Sequence, residues 1–214
     1  MAKFGLSQPM RRIEDPRLLI GGGRYTDDIV MAGAAHGVVL RSPHAAARIL
    51  SIDTAAALEV PGVLAVLTAK DWADEGLGEI PCVIPLKNID GSSRADTPRG
   101  ALATDRVRHV GDAVAFIVAE TAEAAKDGAE AVFVDYELLP SATDLATARE
   151  PGAPQVWEGI PNNTVFDWET GDKAKAAELA AKAAHVTKLT VVNNRVIVNS
   201  MEVRAATAEY DPAL

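Results

Sequence analysis

Apolar positions in the first third of the chain fall into short runs separated by turn residues. Val38-Val39-Leu40 ends a mostly small or apolar stretch from Ala34 to Leu40, which reads as a buried strand stopped by Ser42-Pro43. Arg48 to Ile52 alternates apolar and polar positions, as a half-buried strand does. Asp53 is placed to cap a short helix from Ala55 to Glu59, which Pro61-Gly62 ends. Val63 to Thr68 is a third strand, so the opening pattern is β–β–α–β. Periodicity then disappears between about Asp71 and Arg106, a connection far longer than usual. Ile80, Val83, Ile84, Leu86 and Ile89 make it too apolar for a solvated tether, so it is expected to dock on something.

Order returns at Val107, and Ala113 to Ala119 has the apolar continuity of a strand buried on both faces. Thr121 is placed to cap a helix whose Ala122, Ala125, Ala129 and Val132 share one buried face. Gly128 inside that helix costs about 1 kcal/mol relative to alanine. Val132 to Glu137 reads as the next strand, making Val114 to Tyr136 a β–α–β unit. The Pro- and Gly-rich stretch from Pro151 to Pro161 marks a boundary, and Gly171-Asp172 opens an alanine-rich helix from Lys173 to Ala184. Val186 to Val192, Val196 to Val198 and Val203 to Tyr210 are strand-like, and Asp211-Pro212 is a turn signal. No internal repeat or low-complexity tract occurs.

Composition narrows the function classes. The 214 residues carry 21 Lys and Arg against 30 Asp and Glu, a net charge of −9, and the pI is near 4.9. That balance argues against non-specific nucleic-acid binding and against an anionic membrane surface as partner. Aromatic residues are only 5%, so Ala, Val, Leu and Ile must fill most of the core. A single cysteine, Cys82, excludes an internal disulfide and every multi-cysteine zinc or iron–sulfur site. No apolar run has signal-peptide or membrane-span length, and Arg11-Arg12 is not followed by one, so a cytoplasmic setting is expected.

Candidate chemistry is sparse. Ser42-Pro43-His44 reads as a strand-ending turn, and no Gly-x-Ser-x-Gly elbow exists. Cys82 lies among Ile80, Pro81, Val83 and Ile84, an apolar setting expected to raise its thiol pKa and leave it inert. His36, His44, His109 and His185 are far apart with no i,i+4 pair. A metal site assembled from them through space stays open beside the plainer structural reading. Gly21-Gly22-Gly23 invites a phosphate loop but lacks both the Gly-Lys-Ser/Thr ending and a following helix, which favours a tight turn. Glu14-Asp15 is the clearest adjacent acid pair, and a solvated turn before Pro16 accounts for it. These residues form no catalytic constellation, so no catalytic residue, cofactor ligand or metal ligand is assigned.

Taken in order, several motifs resemble a known family. They are Arg12-Ile13-Glu14-Asp15-Pro16 running through Gly21-Gly22-Gly23-Arg24-Tyr25-Thr26-Asp27-Asp28, then Leu40-Arg41-Ser42-Pro43-His44. Pro61-Gly62-Val63, Val107-Arg108-His109-Val110-Gly111-Asp112 and Val134-Asp135-Tyr136-Glu137-Leu138-Leu139-Pro140 follow. Asn194-Arg195 and Met201-Glu202-Val203-Arg204-Ala205-Ala206 close the series. The chain is similar to the start of the molybdenum-containing large subunit of the xanthine dehydrogenase, aldehyde oxidase and carbon monoxide dehydrogenase family. Two positions depart from the pattern: Val203 stands where related sequences often have Pro, and Asp112-Ala113 replaces a common Glu-Pro.

The resemblance implies an α+β or α/β fold, a hammerhead domain of mixed β-sheet with packed helices, over residues 1–150 with an N-terminal arm at 1–20. Residues 151–214 would then begin the first molybdopterin-binding domain. The family's glutamine near the molybdenum oxo group, its Gly-Gly-Gly-Phe-Gly cofactor loop and its catalytic glutamate are expected downstream of Leu214. The chain would thus be a split gene's product, a proteolytic or deliberately cut piece, or a truncated reading frame, inactive by itself and prone to self-association. When complete, the subunit would carry molybdopterin and act on aldehydes, N-heterocycles or carbon monoxide. Iron–sulfur (2Fe-2S) and flavin (FAD) subunits would be its partners. A free-standing binding or assembly module on the same fold is the alternative reading.

Overall fold

The computed structural model describes residues 11–194, 196, 199–200, 202–211 and 213. Two compact units emerge, one of Met1–Ala34 with Thr187–Leu214 and one of Ala35–Val186. In the first, helix α1 (Asp15–Leu19) has Pro16 in its opening turn, where a missing N–H costs nothing. It ends in a Schellman cap. Gly21 has φ +72°, and the Gly21 and Gly22 N–H groups donate to the carbonyls of Leu18 (3.1 Å) and Arg17 (2.8 Å). A short 3-10 turn, Thr26–Asp28, follows.

The larger unit contains six strands. They are β1 (His36–Arg41), β2 (Ala47–Asp53), β3 (Val63–Thr68), β4 (Arg106–Val107), β5 (Ala113–Ala119) and β6 (Phe133–Leu138). They form two antiparallel sheets with orders β1-β5-β3 and β4-β2-β6. The β–β–α–β opening is present, with α2 at Ala55–Leu58; Asp53 accepts from the Ala55 N–H (2.9 Å), one residue before the cap position Thr54. Strand β5 is central, as its apolar run implies. The chain from β5 through α4 (Ala122–Ala131) to β6 is not one parallel unit, however, because β5 and β6 belong to different sheets.

Helix α4 buries Ala125, Gly128 and Ala129, and the Thr121 hydroxyl accepts from the Ala124 N–H (3.1 Å) at its start. One core cluster joins Ile117, Ala115 and Ala119 of β5 to α4 and to Ala57. A second joins Val114, Val107 and Ala47. Ile52 and Val134 pack against both clusters and so tie the two sheets together. Seven of the twelve buried apolar residues among those described are alanines, which answers the scarcity of aromatic side chains.

Three sequence expectations change. A helix, α3 (Ala69–Asp74), occupies the first turn of the supposed loop, started by a capping box between Thr68 and Asp71. Val186 to Val192 and Val203 to Tyr210 form no strand, because apolar alternation makes a strand only where another backbone completes its hydrogen bonds. In the Val196 to Val198 stretch, Ile197 and Val198 lie outside the described residues. The alanine-rich helix α5 (Lys173–Lys182) forms as expected, capped by Asp172, whose carboxylate accepts from the Lys175 N–H at 2.7 Å.

The Asp71 carboxylate accepts from both the hydroxyl and the N–H of Thr68 (2.7 Å each), and these bonds hold its pKa below the ordinary aspartate value. The charged form is therefore the one the folded state favours. Its contribution is complete above the ordinary aspartate range and is lost as pH falls through the lowered value. The protection of the α3 amides, taken as intrinsic over observed exchange rate at each pH, is expected to fall on acidification through that interval, and to lose this pH dependence in Asp71→Ala. An unchanged pH profile in the variant would remove the assignment.

Candidate functional site

The motifs singled out in the sequence converge in the larger unit. The Ser42 N–H donates to the Asp112 carbonyl (2.9 Å), the Gly111 N–H donates to the Ser42 carbonyl (2.8 Å), and Arg41 Nη1 donates to the Gly111 carbonyl (2.9 Å). The turns after β1 and before β5 thus hold each other by main-chain bonds. The ring of His44 meets Tyr136 edge-on, with centroids 4.9 Å apart. Burial pushes the Tyr136 phenol up, a hydrogen bond with Ser42 opposes that rise, and the Asp112 charge adds to it.

This knot has no free nucleophile. Ser42 is 2% exposed, and its hydroxyl accepts from the His44 N–H at 3.0 Å. The strand-ending turn is therefore the correct reading of Ser42-Pro43-His44. His109 Nε2 lies 3.6 Å from Asp112, while His36 sits in β1. Among the described residues no group of three or more His, Cys, Asp and Glu is placed to hold a metal. Cys82 departs from expectation: it is exposed, because Ile80, Val83 and Ile84 are themselves 60–82% exposed and do not enclose it. Glu14 and Asp15 act locally at the start of α1, Glu14 pairing with Arg17 (3.6 Å) and Asp15 accepting from the Arg12 N–H (3.2 Å).

The long loop docks only in part: its 88–95 segment pairs by hydrogen bonds with a later part of the same chain, whereas Ile80, Val83, Ile84 and Ile89, whose apolar character led to the expectation, stay exposed. Ile89 and Ala95 donate to the carbonyls of Asp167 (3.0 Å) and Val165 (2.8 Å), and the Asp167 N–H donates to Asn88 Oδ1 (2.9 Å). In the smaller unit, Thr26 N–H and Oγ1 donate to Glu202 Oε1 at 3.0 and 3.3 Å. That contact joins the glycine-turn motif to the Met201-Glu202 motif, of which Met201 lies outside the described residues.

One cleft stands out, with a volume of about 530 Å³ between α3, the segment before β4 and the stretch around Trp157. Trp72 and Trp157 form aromatic walls, and Arg99, Arg106, Arg108, His109 and Asp112 supply charge. The Arg108 guanidinium carbon lies 4.1 Å from the centre of the Trp157 ring, a stacked cation–π contact. Arg106 Nη1 donates to Glu158 Oε1 at 2.9 Å. Sequence inspection missed this cleft because Trp157 lies in a Pro- and Gly-rich stretch, far along the chain from the Arg106-Val107-Arg108 run it covers.

Comparison with known proteins accounts for this arrangement of motifs. Residues 20–140 match the model of the family described as aldehyde oxidase and xanthine dehydrogenase, a/b hammerhead domain. The carbon monoxide dehydrogenase large chain of Afipia carboxidovorans is 36% identical over 219 aligned residues, covering 97% of this chain and 26% of that relative. The xanthine dehydrogenase molybdenum-binding subunit of Escherichia coli is 37% identical over 150 residues, 69% of this chain and 19% of the relative. A solved structure of reconstituted CO dehydrogenase from Oligotropha carboxidovorans superposes with a TM-score of 0.68 at 37% identity, over 82% of this chain and 22% of that one. The chain therefore spans about a quarter, or less, of the length of these relatives. With both family motifs and fold in place, the chain belongs to the aldehyde oxidase and xanthine dehydrogenase family and carries the hammerhead part of its large subunit.

Proposed function

We propose that this chain is the scaffold portion of a molybdenum hydroxylase large subunit and does not itself hold the reaction centre. Residues 1–150 would be the hammerhead domain with its arm, and residues 151–214 the start of the first molybdopterin-binding domain. The observation that carries the proposal is the family match over 20–140, together with the small share of each relative that the chain spans. The Gly21 and Gly22 N–H groups are committed to capping α1 rather than offered to a phosphate, in keeping with this reading.

The complete enzyme would oxidise an aldehyde, an N-heterocycle or carbon monoxide with oxygen from water, and would pass electrons to 2Fe-2S and FAD groups in partner subunits. No helix among the described residues is long and apolar enough to cross a membrane; a cytoplasmic location is part of the proposal. So is self-association, since β6 leaves one edge of its sheet open and its Phe133 and Leu138 are each 65% exposed.

Purified as these 214 residues, the protein is expected to contain no stoichiometric molybdenum or pterin and to reduce no dye with aldehydes, purines or carbon monoxide. Turnover is expected only when the rest of the subunit and its redox partners are supplied. About one molybdenum per chain in metal analysis, with substrate-dependent dye reduction, would overturn the proposal.

A further inference from the structure

We infer that the cleft walled by Trp72 and Trp157 binds a small aromatic carboxylate. Its volume of about 530 Å³ suits a one- or two-ring molecule, since small-ligand pockets run from roughly 300 to 1,000 Å³. Charge points to an anion. The unit Ala35–Val186 has 13 Lys and Arg against 23 Asp and Glu, yet three of those cations line this one cleft. Neither Arg99 nor Arg108 has an ion-pair partner among the described residues.

Arg108 is held by stacking on Trp157 rather than by a carboxylate. Its Nη1 reaches only the Arg106 carbonyl (3.4 Å), and its Nε is buried without a partner. Asp112, the acid beside it, is occupied with the Arg108 main-chain N–H (3.0 Å) and with His109 (3.6 Å). Glu79 is the other acid on the lining. Arg106 does have a partner, and the contrast between the two is informative. The Arg106 side chain is 17% exposed, whereas that of Glu158 is 86% exposed. A carboxylate reaching in from solvent to a largely buried guanidinium occupies the place of an incoming anion and is held weakly enough to be displaced. Trp72 and Trp157 on the lining, together with Leu77, Ile80, Leu102 and Val156, then supply apolar contact for an aromatic ring.

Naphthalene-2-carboxylate titrated into the 214-residue chain tests this, followed by indole N–H signals in NMR and by calorimetry. The Trp72 and Trp157 indole signals are expected to shift saturably, while that of Trp168, which does not line the cleft, stays in place. Removing a guanidinium donor to the carboxylate with Arg99→Gln should weaken binding about tenfold. Releasing Arg106 with Glu158→Gln should tighten binding about threefold, a change of opposite sign that misfolding could not imitate. Both positions are exposed, so both variants should fold. Equal affinity for naphthalene-2-methanol, weaker binding in Glu158→Gln, or no saturable shift would each overturn the inference.

Discussion

Ile117→Ala is expected to remove about 2–5 kcal/mol of stability, a large part of the roughly 5–15 kcal/mol that separates folded from unfolded domains. Ile117 is fully buried and is the largest side chain of which that is true among the described residues. Its place in β5 sets it between Val38 on one neighbouring strand and Val66 on the other, with α4 packed across the same face. The surrounding cluster is mostly alanine, and alanines have no longer rotamers with which to fill a vacated volume. The cavity should therefore persist, placing the cost in the upper part of that range. Ile117→Val, which removes one methylene, should cost only about 0.5–1.5 kcal/mol. Urea unfolding followed by circular dichroism measures both. Equal midpoints for the two variants would show that this core collapses freely around the lost volume.

The legibility of the fold followed how local each signal was. The apolar run Ala113–Ala119 could only be an interior strand, and Thr121 with the spacing of Ala122, Ala125 and Ala129 located α4 almost to the residue. Pairing partners were not legible. Nothing in the composition of β5 and β6 says that they join different sheets, since that depends on which backbone lies alongside each one. The same missing information made Val186 to Val192 look like a strand, because alternation is intrinsic to a segment and a ladder is not. At the knot of Ser42, His44, Asp112 and Tyr136, the motifs were visible and their meeting was not. The cleft was hidden for a further reason. Its arginines and tryptophans are scattered through stretches without periodicity, so only the folded chain brings Trp157 over Arg108.

Gly128 shows how packing can reverse a local rule. By helix propensity alone, Gly128→Ala should stabilise α4 by about 1 kcal/mol. The glycine, however, is buried against β3 and β5. A Cβ built there would lie 2.8 Å from Val63 Cγ2 and 3.1 Å from Ile117 Cγ2. Both neighbours are β-branched side chains with few alternative rotamers, and Ile117 is fully enclosed. Relief must therefore come from moving α4 away from β3 and β5, which also loosens the contacts of Ala125 and Ala129. Overpacking of this kind costs about 1–3 kcal/mol and outweighs the gain in propensity. The net expectation is a loss of stability in Gly128→Ala, growing in Gly128→Leu. Restoring space with Val63→Ala in the Gly128→Ala background should recover part of that loss, a coupling that a double-mutant cycle reads directly. A Gly128→Ala protein more stable than the parent in urea would mean that the helix sits farther from the sheet than these distances indicate.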